Sequence, residues 1–417
     1  MKVKLVTTNI GGGAGRAAYR LHDGLRAIDV DSTVLVKKGG NSDKGVIQLE
    51  RPTKTRIRRL QERLTRAVQR YSSPQVAFGK NCQTFSSPNA LWNESWKHTL
   101  GDADVINLHW ISWFIDIPSF AQLSHTTPVV WTLHDMNAFT GGCHYNGTCE
   151  RFQQACGSCP ELTPNGPRDM SADSFEVKCK AYAKFKGNLT IVTPSRWLGE
   201  CVERSALLGD CHRHVIPYGI DTETFRPVSG LRDALGIPPE SKVALFIANG
   251  IGTYRKGGDL FQAALGMLDV PNLHVVVAGH GKFSEPIENA TVHYLGDVSS
   301  SSLLAAVYST ADFTVIPSRQ DNLPNTVIES IACGTPVVAF DVGGLPDMVR
   351  PGLTGWLAED LSAESLATAI SSAIELPQGR YQQQCRDVAI AEYPLELQAQ
   401  RYKELFSNLI HDHRPQG

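Results

Sequence analysis

Short apolar runs recur along this chain, and helical stretches separate them. In the first half Val3–Thr7, Ser32–Val36, Val105–Leu108, Val129–Leu133 and Leu189–Val192 read as strands. In the second half the strands are Val243–Ile247, Leu273–Ala278, Val292–Leu295, Phe313–Ile316 and Pro336–Phe340. Helical periodicity lies between them, as in Ala17–Ala27, Asp259–Leu268, Ser301–Tyr308, Asn325–Cys333 and Ala363–Leu376. Apolar strands alternating with helices specify parallel sheets covered on both faces. At 417 residues the chain exceeds one ordinary core. Two α/β domains are expected, with a boundary near Val215–Gly219, where Pro217 and Gly219 punctuate.

Apolar residues make up 42% and charged residues 20%, the balance of a soluble globular enzyme. A net charge of -2 supplies no field that would draw nucleic acid. The opening MKVKLVTTNI turns polar too soon for a signal peptide, and no apolar run approaches the ~20 residues of a membrane span. A cytoplasmic protein is expected, with its ten cysteines reduced. Residues 51–70 carry eight Lys or Arg and one acid, with Ile57, Leu60, Leu64 and Val68 on one helical face. Such a segment suits peripheral contact with an anionic membrane, or a plain amphipathic helix with a solvated basic face.

Four stretches carry candidate chemistry. After the first strand, Gly12, Gly13 and Gly15 let backbone amides approach a ligand, and a helix start then favours an anion. Gly13-x-Gly15-x-x-Ala18 also fits a dinucleotide fingerprint. The ribose-holding acid expected after the second strand is missing, because Lys37 and Lys38 stand there. His134 ends the strand Val129–Leu133, where open α/β sheets place ligands. Cys143, Cys149, Cys156 and Cys159 offer four thiolates, a set that can hold a structural zinc; without metal they are loop thiols. Arg255 and Lys256, beside Gly257 and Gly258, suit a diphosphate leaving group. His109-Trp110 and Trp113-Phe114 could line an acceptor site or pack in the core.

The stretch RQDNLPNTVIESIACGTPVVAF follows the strand Phe313–Ile316. Pro324 suits a first helical turn, so amides near Asn325, Thr326 and Val327 become donors into the crevice. Asp321 in the loop and Glu329 one turn into the helix can accept from hydroxyls at the two ends of a sugar nucleotide.

Taken in order, these pieces resemble retaining GT-B glycosyltransferases of the GT4 family, the glycosyltransferase group 1 proteins. Asp321-x7-Glu329 with Cys333-Gly334-Thr335-Pro336 resembles the E-x7-E motif and its tail. Val342–Asp347 resembles GGxPE, Tyr218–Asp221 resembles NGID, and Gly279-His280-Gly281 resembles G-x-G. The resemblance implies two Rossmann-like domains facing a cleft: residues 1–216 on the acceptor side and 217–394 on the nucleotide-sugar side. The last helix, about 395–417, would pack back on the first domain. It implies a UDP- or GDP-sugar donor, no catalytic metal, and transfer with retention to a glycan or lipid-linked glycan. Glu329 would hold the ribose, Asp321 the donor sugar, Lys256 the diphosphate, and His134 would face the sugar. The chain departs from the pattern at Asp321 for Glu, Asp347 for Glu, Tyr218 for Asn, and Ile251 for an Arg whose part Arg255 could take. The rival readings are an inactive GT-B partner subunit and an NAD(P)-dependent oxidoreductase.

Overall fold

The computed structural model describes residues 1–40, 45–49, 77–78, 84–90, 96–122, 127–185 and 187–413. The basic segment 51–70 lies outside the described residues.

Two parallel sheets organise the chain. The first has seven strands in the spatial order Val46–Gln48, Asp31–Lys38, Lys2–Asn9, Val105–Leu108, Val129–Thr132, Leu189–Thr193 and His212–Val215. The second has six, in the order Thr291–Gly296, Leu273–His280, Lys242–Gly250, Phe313–Ile316, Val337–Phe340 and Gly355–Ala358. Ala77–Phe78 and Leu162–Thr163 form a small antiparallel pair outside both. Central strands are buried along their whole length, as helices covering both faces require. Sequential strands neighbour one another until the order reverses beside the first strand of each sheet. That reversal opens a crevice at the carboxyl ends of the strands.

Helix starts follow local capping chemistry. Asp169 accepts from the amides of Ser171 and Ala172, Ser195 from Leu198, and Ser300 from Leu303. The helix Gly12–Ala27 begins five residues earlier than the apolar spacing predicts, so the glycine turn is its first turn. Pro324 is extended, at φ -66° and ψ 127°, and stands as the N-cap of Asn325–Ala332, just outside the helix it was expected to begin.

The chain crosses back at its end. Ile220 and Pro394 form an isolated parallel bridge, and the Ile220 amide donates to the Tyr393 carbonyl at 2.8 Å. Beyond it, helix Leu395–His413 puts Ala399, Tyr402 and Phe406 into the core built by Val3, Leu5, Val34 and Val105. The crossing is tight at Gly24, where a Cβ would lie 3.0 Å from the Leu395 carbonyl oxygen and 3.2 Å from the Ala399 Cβ. The other side of helix Gly12–Ala27 faces the second domain: Ala17 is buried in one cluster with Phe225, Leu323 and Val327. One helix thus touches both domains and the crossover.

Candidate active site

The carboxyl ends of the two sheets face each other across an open cleft of about 1610 Å³. Its walls include Gly12, Gly13 and Gly15 from the first domain, and Lys256, Asp321 and Glu329 from the second.

Asp321 sits on the loop after Phe313–Ile316 and is 5% exposed. Its Oδ2 lies 2.5 Å from Lys256 Nζ and 3.2 Å from Arg255 Nη1, and accepts from Ser318 Oγ at 3.2 Å. Burial alone would raise this carboxyl, but the two cations outweigh it and hold the group well below the usual carboxylate range. The Asp321 backbone is fixed from behind. Gly343 is left-handed, at φ +59°, and a Cβ there would fall 2.0 Å from the Asp321 carbonyl oxygen. The same carbonyl accepts from the Gly344 amide at 3.0 Å. The paired glycines of the Val342–Asp347 stretch therefore serve to seat the acid.

Both cations come from one short turn, Tyr254–Lys256, that ends at left-handed Gly257. A Cβ on Gly257 would strike the Pro317 carbonyl oxygen at 1.8 Å, so glycine there lets the cation turn lie against the acid's own loop. Arg255 donates to the Gln320 carbonyl at 2.8 Å and its guanidinium lies 4.2 Å above the Tyr145 ring. Ile251, which stands where the pattern the chain resembles has an Arg, is 1% exposed and buried with Phe246 and Phe261. The guanidinium that reaches Asp321 belongs to Arg255.

Glu329 is 2% exposed. Its Oε2 accepts from Tyr308 Oη at 2.8 Å, and its Oε1 from Arg20 Nη2 of the first domain at 2.7 Å. Asn325, at the start of the same helix, donates from Nδ2 to the Gly13 carbonyl at 3.1 Å. The glycine turn, expected to favour an anion, and the Asn325 turn, expected to aim amides into the crevice, are thus brought together. The Val327 amide is already bonded to the Pro324 carbonyl at 3.0 Å, which corrects its expected role as a donor into the crevice. The amides of Asn325 and Thr326 head the helix ahead of it. Gly12 is left-handed, at φ +73°, and a side chain there would meet nothing within 4 Å, so its face is open to the cleft. Gly15 is close-packed instead: a Cβ would be 2.4 Å from the Asn9 carbonyl oxygen.

His134 reaches the cleft wall, but both ring nitrogens are engaged inside the protein. Nδ1 is 2.6 Å from Tyr218 Oη and Nε2 is 2.9 Å from His109 Nδ1, with the rings stacked on either side. Burial lowers its pKa to about 4 against the opposing pull of Asp135. A neutral ring wedged this way supports the wall. For the ring to donate to a sugar it faces, one of these bonds has to break.

Cys143, Cys149, Cys156 and Cys159 line one cavity of about 20 Å³, the size of a single water or ion. Cys156 Sγ accepts from the Gly141 amide at 3.1 Å. Among the described residues, no group of three or more His, Cys, Asp or Glu is arranged to hold a metal ion. The expected ligand set is therefore gathered but not closed.

Sequence reasoning missed a set of residues that join the two walls. Asn322 accepts from Ser195 Oγ at 2.6 Å and donates to the His134 carbonyl at 3.1 Å. Tyr145 Oη reaches Asp321 Oδ1 at 3.4 Å, and Gln320 Nε2 donates to Asn146 at 2.7 Å. Asp347 accepts from the Arg196 amide at 2.7 Å, so this acid also spans the domains. Trp110 donates from Nε1 to Asp135 at 2.9 Å, while Trp113 packs edge-on against Trp110 and stays 46% exposed. Phe114 is fully buried, as the core reading of that pair expects.

Among protein families, the glycosyltransferase group 1 model matches residues 241–375. The D-inositol 3-phosphate glycosyltransferase of Mycolicibacterium gilvum is 33% identical over 171 residues, 37% of this chain and 38% of that protein. Its namesake from Mycobacterium marinum is 28% identical over 294 residues, 66% of this chain and 57% of that protein. The matched part thus spans less than two thirds of each of these relatives. In structure, the chain resembles sucrose-phosphate synthase from Thermosynechococcus elongatus, with a TM-score of 0.70 at 19% identity, covering 99% of this chain and all of that one. It also resembles Anabaena HepE in complex with UDP-glucose, with a TM-score of 0.65 at 16% identity, covering 98% of this chain and 100% of that one. The likenesses in structure establish the GT-B fold, and residues 241–375 are similar to the glycosyltransferase group 1 family.

Proposed function

We propose that this protein transfers a sugar from a nucleoside-diphosphate donor to a hydroxyl of a glycan or lipid-linked glycan. One observation carries the reading: Lys256, Arg255 and Asp321 converge in the same cleft that Glu329, on their own wall, and the glycine turn of the facing wall also line. Without donor, Asp321 is the anion that satisfies the cation pair. A diphosphate entering the cleft takes over Lys256 and Arg255, and Asp321 then shares its oxygens with sugar hydroxyls. Glu329 accepts from the ribose hydroxyls.

As the acceptor oxygen attacks the anomeric carbon, the bond to the donor phosphate breaks and negative charge grows on the leaving diphosphate. Lys256, Arg255 and the amides of Asn325, Thr326 and the glycine turn stabilise that charge. They supply positive potential of the kind a divalent ion provides elsewhere. Contacts across the walls, such as Asn322 to Ser195 and His134, exclude water from the donor. Retention of configuration rests on the family resemblance.

The HepE complex with UDP-glucose makes UDP-sugars the first donors to try. The test is nucleoside diphosphate release from a panel of UDP-, GDP- and ADP-sugars, with and without acceptor glycans. Turnover with one base series supports the reading, and a protein that neither binds nor cleaves any of them removes it. Peripheral membrane contact through residues 51–70 is read from their charge alone, and anionic vesicles that fail to sediment the protein would dismiss it. No helix among the described residues is long and apolar enough to cross a membrane. The zinc reading of the cysteine loop draws support from the shared cavity. One zinc per purified chain supports it, and metal-free protein of full stability ends it.

A further inference from the structure

Arg20 occupies a position that no motif assigns. It lies two turns into helix Gly12–Ala27, the helix that touches both domains and the crossover. Its guanidinium crosses the domain boundary and divides between two partners on one helix: Nη2 is 2.7 Å from Glu329 Oε1, and Nη1 is 3.2 Å from Asn325 Oδ1. The group also lies 5.3 Å from the Phe225 ring centroid. The side chains of Arg20 and Glu329 are 13% and 2% exposed, so this is a partly desolvated pair and not a surface contact.

We infer that Arg20 is a positioning residue: it orients the Glu329 carboxylate for the donor's ribose and ties donor capture to this facing placement of the two domains. The inference rests on the proposed nucleotide-sugar function. Each oxygen of Glu329 receives one donor, Tyr308 on one and Arg20 on the other. A carboxylate oxygen can accept twice, so each retains a site for one hydroxyl entering from the cleft. Tyr308 belongs to the second domain, whereas Arg20 arrives from the first. Separation of the domains therefore removes the counter-charge and one of the two bonds that fix the carboxylate. It also breaks the Asn325 contacts to Arg20 and to the Gly13 carbonyl, which sit at the head of the same helix. Ribose recognition and domain approach are in this way one event.

The experiment compares wild-type protein with Arg20→Met and Arg20→Lys, using UDP as probe in calorimetry and the active UDP-sugar in kinetics. Loss of one partner from a partly buried pair predicts an increase of about 10–100-fold in Kd and donor KM for Arg20→Met, with kcat changed far less. Arg20→Lys recovers part of the loss. Amide exchange of ligand-free protein is read in parallel. Residues 325–332 exchange faster in Arg20→Met, while the buried strand Phe313–Ile316 keeps its protection. Unchanged or tightened UDP binding overturns the inference, as does unaltered exchange over 325–332. Wild-type protein that binds no UDP or other nucleotide removes the proposed function instead, and the exchange comparison still decides whether Arg20 latches the domains.

Discussion

The two walls of the cleft are built by different strategies. The wall from the second domain is local: Tyr254–Lys256, Pro317–Pro324, Asn325–Glu329 and Gly343–Gly344 are short stretches, each at a strand end, packed loop against loop. The wall from the first domain is scattered. Arg20, His134, Tyr145 and Ser195 come from a helix, a strand end, the cysteine loop and a helix cap, and each reaches across to the other side. A local wall preserves its geometry through turn chemistry. A scattered wall has it only while the whole domain is folded and facing its partner. Donor recognition should therefore depend on residues of the first kind for chemistry and of the second kind for closure.

Three substitutions or conditions probe that division, beyond the Arg20 series. Lys256→Ala removes the point charge from the local wall and should lower transfer by about 10²–10⁴-fold, with the fold intact. Steady-state rates with the active donor measure it; near-normal rates would mean that the cation turn is not where the diphosphate leaves. Gly343→Val forces a Cβ to 2.0 Å from the Asp321 carbonyl oxygen at a left-handed φ. It should destabilise the protein by about 3 kcal/mol or more, seen as a lower denaturant midpoint. A midpoint like wild type would show that the acid's loop is free to shift.

The smallest effect belongs to the scattered wall. The His134 pKa is lowered to about 4, from an ordinary value near 6.5, by burial. Below pH ~6.5 the unfolded chain takes up a proton that the folded chain refuses, so stability falls with pH until about 4 and is flat above ~6.5. Because the ring still borders the cleft, the loss should be on the order of 1–2 kcal/mol. Urea titrations of wild type and His134→Asn between pH 7 and 4 measure it. Equal pH slopes in the two proteins would mean that the ring is not kept neutral by its setting.

Legibility in the sequence follows the same division. Strands buried on both faces, such as Val105–Leu108 and Phe313–Ile316, announce themselves because they are almost wholly apolar, Asn107 and Thr314 being the polar exceptions. His212–Val215 escaped notice because it is an edge strand with an exposed, polar sequence. Gly355–Ala358 is another edge strand, only four residues long. The acid and cation turns were legible because their residues are close in sequence and stand at strand ends. Arg20 was not: in the sequence it is one more polar position on an amphipathic helix, and its partner Glu329 lies 309 residues away. Asn322 stood inside the recognised stretch, yet its role depends on Ser195 and His134, which no local pattern connects to it. At Val327 the spacing shows a helix start, but not that the first turn tightens onto Pro324 and takes up the amide.

The central claim is that one cleft takes the whole donor, with cations on its leaving end and acids on its hydroxyls. A structure of the protein with the donor chosen by the sugar-nucleotide panel tests it most directly. In that complex, diphosphate oxygens should lie about 3 Å from Lys256 Nζ and the Arg255 guanidinium, with ribose hydroxyls on Glu329. A nucleotide seated elsewhere, with Lys256 still closed onto Asp321, would contradict it.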